Sequence, residues 1–168
     1  MKSGGLGWRV TPTAKTIWIL IASPLVCIGV GTIMGAAAFA LSSFVQWGGD
    51  ATAGDLLRAY LASLLYGLLV TVPFGGAAGI VAALIINALG NGSYRGASLK
   101  RWLRAGAGFG GGVGVACPVF FGALGFGGGG GSIVQWFLFY AIAGGSAGLV
   151  AGLALAALAW REYGERTA

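Results

Sequence analysis

Four apolar segments, at about 16–47, 56–89, 105–126 and 133–160, make up most of the chain. A helix needs about 20 predominantly apolar residues to cross a bilayer, and each segment reaches that length. The polar flanks between them are too short to form a separate soluble domain. The expected fold is all-α: a polytopic membrane protein whose four transmembrane helices form a compact glycine-packed bundle, one domain over 1–168. Charge excludes the water-soluble alternative. Only 8% of residues are charged and 57% are hydrophobic, whereas soluble domains carry about 25% charged residues. Segments one, two and four exceed the minimum span, so they tilt, bend or project beyond the lipid. Pro24 and Pro73 are natural bend points.

The cations then set an orientation. Lys2, Arg9 and Lys15 precede the first segment. Arg95, Lys100, Arg101 and Arg104 separate the second from the third, and Arg161 and Arg166 follow the fourth. Only Arg58 falls on the opposite side, beside Asp50 and Asp55. With four crossings, nine of the ten cations share one side, which the positive-inside rule assigns to the cytoplasm together with both termini. The expected location is a multi-pass position in the bacterial inner (cytoplasmic) membrane. The same distribution reads the net charge of +6 as an orientation signal and excludes a nucleic-acid partner. Tryptophans mark the interfaces: Trp47 and Trp136 at external ends, and Trp18, Trp102 and Trp160 at cytoplasmic ends. A cleaved signal is the rival reading of 16–40, with AFA at 38–40 as its cleavage site. Against it, the apolar stretch is much longer than the usual 7–15 residues.

Glycine is the second constraint. The chain has 34 glycines, and in a soluble helix each interior glycine costs about 1 kcal/mol relative to alanine. In lipid the backbone must bond internally, so helix persists, and small residues let backbones approach closely. Each segment carries small-xxx-small spacing: Gly31/Gly35, Gly75/Gly79, Gly110/Gly114 and Gly144/Gly148/Gly152. These nine are the expected helix-packing residues. The string GAGFGGGV at 106–113 also satisfies a dinucleotide-binding pattern. Its context argues against that chemistry, because no βαβ unit surrounds it and no acidic residue follows about 20 positions on. The run Gly127–Gly131 reads as an external turn.

Two internal matches stand out. GGAAGIVAAL at 75–84 and GGSAGLVAGL at 144–153 agree at seven of ten positions, which suggests a duplicated hairpin. SFVQW at 43–47 and SIVQW at 132–136 place Gln46 and Gln135 at external ends, as interface anchors or as a shared vestibule.

Residues suited to catalysis are scarce. There is no histidine, which removes the commonest general base and the commonest metal ligand. Cys27 and Cys117 lie in apolar segments and read as small buried hydrophobes. Asp50, Asp55, Glu162 and Glu165 all lie at helix ends, away from mid-membrane, where a carboxylate would mark a coupling site. Asp55 and Arg58 are spaced to pair on one helical face. Thr32, Ser63, Thr71 and Ser146 read as hydrogen-bonders between helices or back to their own turn. No catalytic, cofactor or metal site is expected.

The loop 91–106 is the most decorated polar stretch. There Arg95, Lys100, Arg101 and Arg104 surround Tyr94 and Trp102 and suit anionic lipid headgroups. The expected function is non-enzymatic: an accessory or assembly role through helix packing, as a homo-oligomer or a subunit of a membrane complex. The alternative is a small oligomeric transporter or channel with a path at the glycine-rich midplane.

Overall fold

The computed structural model describes residues 14–46, 52–123 and 133–164, and every regular element among them is an α-helix. The helices are α1 (Ala14–Gln46), α2 (Ala53–Asn91), α3 (Leu99–Ala123) and α4 (Ile133–Tyr163). They fall on the four apolar segments. The largest boundary difference is at α3, which begins six residues earlier than the apolar segment. Lys100, Arg101 and Arg104 therefore form its first turns. The glycine run 127–131 lies outside the described residues, as do the side chains of Gln46, Cys117, Pro118 and Gln135.

Among the described residues, three stretches are long and apolar enough to cross a membrane: 14–44, 71–91 and 141–163. The described side chains of α3 do not form such a stretch, because its first turns are cationic and its centre is glycine. AFA at 38–40 lies within α1, with Ala36 and Ala40 buried.

The packing inverts the pattern of a soluble protein. The core is built mainly from small residues, Ala22, Ala36, Ala40, Ala82, Ala83, Ala156 and Ala159 among them. Large aliphatic side chains point outward instead: Leu25 is 64% exposed, Leu69 74% and Ile142 70%. In water such a surface is an aggregation liability. In lipid it costs nothing, and small residues at the helix contacts allow the dispersion packing that replaces the hydrophobic drive.

The four helices form two hairpins. α1 runs along α2, α3 runs along α4, and α1 joins the hairpins by touching α4. Both pairs are antiparallel, as the opposed numbering of their contacts shows. Across α1 and α2, Gly31 faces Thr71, Gly75 faces Cys27 and Ile28, and Gly79 faces Ser23 and Pro24. Across α3 and α4, Gly106 faces Gly152, Gly110 faces Gly148 and Gly114 faces Gly144. The start of α1, the end of α2, the start of α3 and the end of α4 consequently share one end of the bundle.

Helix ends follow local chemistry. Thr52 caps α2: its hydroxyl accepts from the Asp55 N–H at 3.3 Å, and its own N–H donates to the Asp55 carboxylate at 3.1 Å. These bonds to Thr52, with a smaller contribution from the nearby charge of Arg58, hold the Asp55 carboxyl below its ordinary range. The Asp55 carboxylate, expected from spacing to pair with Arg58, takes its hydrogen bonds within this capping box, which satisfies helix-end donors otherwise left open, and feels the Arg58 charge besides. α2 ends at Gly92, and the Tyr94 N–H donates to the Leu89 carbonyl at 2.9 Å. The chain then turns through Gly96, whose φ of +71° is the left-handed conformation glycine adopts without strain.

Candidate functional site

The α3–α4 seam is set by glycine. A Cβ built on Gly110 would collide with the Gly148 carbonyl oxygen, and one on Gly148 with the Gly110 carbonyl oxygen. Gly106 and Gly152 oppose each other in the same reciprocal way, and Gly114 meets the Gly144 carbonyl. Each glycine hydrogen that a side chain would replace therefore points toward a carbonyl of the facing helix, the arrangement of weak Cα–H···O contacts. The contacts recur every four residues, so they lie on one face of each helix.

The α1–α2 seam is looser and mixed. A Cβ on Gly79 would strike the backbone at Pro24, with the Ser23 carbonyl oxygen 2.8 Å away. At Gly75 the nearest backbone atom, the Ile28 nitrogen, would be 3.3 Å away. Gly31 would meet only the Thr71 side chain, at 3.3 Å. Gly35 departs from the expected packing role: a Cβ there meets nothing within 4 Å, so its face carries no partner helix. Gly106 belongs to the α3 seam although the GxxxG pairs named from sequence begin at Gly110. Its spacing of four from Gly110 was the available signal.

Polar groups within the helices bond either across a seam or back to their own turn. Thr32 and Thr71 share a hydroxyl–hydroxyl hydrogen bond of 2.5 Å across the α1–α2 seam. Ser63 and Ser146 donate back to the carbonyls of Ala59 and Ala143, at 2.5 and 2.9 Å. Cys27 is a free, half-buried thiol. Hydrogen bonds between membrane helices average about 0.6 kcal/mol and reach about 1.7. A double-mutant cycle with Thr32→Val and Thr71→Val should return a coupling in that range in detergent unfolding. Strict additivity would mean the bond contributes nothing.

The shared end of the bundle is its most elaborate region. Tyr163, at the end of α4, is held three ways. Its hydroxyl donates to the Asn87 Oδ1 at 2.5 Å, its carbonyl accepts from the Gly96 N–H at 2.8 Å, and its ring lies against Gly90. A Cβ on Gly90 would be 2.5 Å from that ring, so Gly90 leaves the space the ring fills. Lys15 Nζ donates to the Glu162 carbonyl at 3.0 Å, tying the start of α1 to the end of α4. Asn87 and Tyr163 were not singled out from the sequence. An asparagine within the apolar IINAL stretch was the readable signal, but its partner lies 76 positions away.

Beside this knot, Trp102 is 2% exposed and packs with Ile19, Ala82, Ala83, Ile86, Leu155, Ala156 and Ala159. Tyr94 meets it edge-on, with ring centroids 5.0 Å apart. The Arg101 guanidinium lies 4.5 Å over the Tyr94 ring, a cation–π contact. Arg95, Lys100, Arg101 and Arg104 are all exposed at this end. Six of the seven described Lys and Arg residues lie there: these four with Lys15 and Arg161. Among the described residues, no three His, Cys, Asp or Glu side chains converge as metal ligands. What the site presents is a cationic rim over an aromatic tier, above a seam of bare backbone. No protein-family model, curated protein or solved structure matches the chain.

Proposed function

We propose that the chain is a four-span inner-membrane protein with both termini in the cytoplasm, acting as a non-enzymatic accessory or assembly subunit through helix packing. The fourth span is α3. At 25 residues it is about 37 Å long, and it lies in contact with α4, whose own apolar stretch spans 141–163. Its cationic first turns then sit at the headgroups, and Gly106, Gly110 and Gly114 lie at depth, covered by α4. The clustering of Lys and Arg at the end shared by the helix termini near Lys15 and Tyr163 supports the cytoplasmic assignment of that end. Arg95, Lys100, Arg101 and Arg104 face anionic headgroups, to which each cation contributes about 1 kcal/mol.

One observation carries the assembly role. Gly108 and Gly112 are four residues apart on the face of α3 turned away from α4, and a Cβ at either meets nothing within 4 Å. A bare GxxxG face in lipid offers a further helix the same close approach that α4 makes on the other side. The partner is a second copy of this chain or a subunit of a larger membrane complex. The pairing of Thr32 with Thr71, and of Ser146 with its own turn, favours this reading over a transporter path lined by those hydroxyls.

Purification in mild detergent, with the mass of the particle measured, tests the proposal. A homo-oligomer or stoichiometric complex that dissociates on Gly112→Leu, while the α3–α4 hairpin stays paired, is the expected result. A lone monomer overturns it. Reporter fusions after Ala168 should place the C-terminus in the cytoplasm, and an external C-terminus overturns the topology.

A further inference from the structure

An apolar cleft of about 60 Å³ opens between α2, α3 and α4 just below the cationic end. Ile86 and Leu89 form one wall, Trp102, Ala105 and Phe109 another, and Gly152 lies on the α4 side. From Trp102 to Phe109 the wall runs seven residues along α3, about 10 Å at the helical rise. Gly106 and Gly152 line the cleft without side chains, and Leu155 and Ala156 of α4 complete that side.

Two features point to an occupant with an apolar chain and a polar, anionic head. The Trp102 indole N–H is buried and has no hydrogen-bond acceptor, although a buried indole N–H ordinarily finds one. Its ring lines the cleft. Tyr94 meets that ring edge-on, and the Arg101 guanidinium lies over the Tyr94 ring. Arg101, Ala105 and Phe109 lie four residues apart on one face of α3, so the cation stands at the headgroup end of the same row that lines the cleft. Arg104 is exposed one turn on from Arg101.

We infer that this cleft is a specific binding site for one anionic phospholipid. An acyl chain occupies the space between Ile86, Ala105 and Phe109. An ester carbonyl of the lipid accepts the Trp102 indole hydrogen, and the phosphate lies against Arg101 and Arg104. The inference rests on the membrane reading above. It goes beyond general attraction of cations to headgroups, because it names one lipid, its depth and the side chain that reads its ester.

The test uses the full chain reconstituted into phosphatidylcholine vesicles containing a minority of phosphatidylglycerol with a photoreactive acyl chain. Cross-linked peptides are located by mass spectrometry. Labelling should concentrate on residues 82–89 and 102–109. Unlabelled phosphatidylglycerol should compete with it, and added phosphatidylcholine should not. Arg101→Gln with Arg104→Gln, both at exposed positions, should weaken that competition about thirtyfold. Trp102→Phe keeps an aromatic ring, though a smaller one, removes the donor and should weaken it about fivefold. Labelling spread evenly over the outward aliphatic faces, or equal competition by phosphatidylcholine, overturns the site while leaving the membrane reading standing. A chain that fails to enter the vesicles overturns both.

Discussion

Gly110→Leu is expected to separate α3 from α4 and to cost about 3 kcal/mol, the upper end for overpacking a well-packed contact. The cost is high because the atom in the way is not a side chain. The Gly148 carbonyl oxygen occupies the position the new Cβ needs, and the Gly152 Cα lies only 2.8 Å from it. Neither yields by a rotamer change, so the helices must move apart and release the reciprocal contacts at Gly106 and Gly114 as well. Gly110→Ala should already be destabilising. Gly35→Ala and Gly29→Ala provide the contrast, since a Cβ at either meets open space. Each should match the wild type or gain up to about 1 kcal/mol, as glycine replacement does when the native backbone accepts it. Unfolding in mixed micelles, read by circular dichroism, separates the two classes. If all four variants unfold together, helix propensity rather than the seam governs the glycines.

Tyr163→Ala has the second-largest expected effect, about 2–3 kcal/mol. It removes a half-buried ring from the Gly90 notch and strips the Asn87 Oδ1 of its hydroxyl donor, so the loss combines a cavity with a newly unsatisfied amide oxygen. Tyr163→Phe isolates the second component and should cost about 1 kcal/mol. The two variants also differ in where they act. With the ring gone, the end of α4 loosens from the α2–α3 turn, and amide exchange at Gly96, whose N–H bonds the Tyr163 carbonyl, should accelerate. With only the hydroxyl gone, that amide should stay protected. Wild-type stability in Tyr163→Ala would show that the knot at this end is not a fastening.

The internal match between 75–84 and 144–153 gains structural content from these seams. Gly75 and Gly144 are equivalent positions in the match, as are Gly79 and Gly148. In each hairpin the equivalent glycines of the second helix face the first, Gly75 and Gly79 toward α1, Gly144 and Gly148 toward α3. The same local sequence therefore makes the same kind of contact twice. The seams are not equally tight, because glycine meets glycine only across α3 and α4. Across α1 and α2 the partners are Thr71, Ile28 and Pro24, which keep the backbones apart except at Gly79.

Much of this was legible in the residues alone. Helix type and approximate bounds followed from apolar length and charge scarcity, because lipid allows a single spanning segment few alternatives to a helix. Which glycines pack did not follow, since spacing shows that two glycines share a face but not that a second helix covers it. Gly31 and Gly35 satisfy the same motif as Gly110 and Gly114, yet Gly35 faces open space while Gly114 lies against the Gly144 carbonyl. At Asp55 the spacing to Arg58 showed the nearby charge but not that Thr52 would supply the carboxylate's hydrogen bonds. The knot of Lys15, Asn87, Gly96 and Tyr163 was beyond any local reading, because its members come from three helices and a turn. Sequence by itself determined the solvent this chain requires, its helical character and the clustering of its cations. The tertiary structure decided which small residues became contacts, which became open faces, and that a buried indole N–H would be left without an acceptor. Those outcomes depend on the relative placement of helices far apart in the chain, which periodicity does not encode.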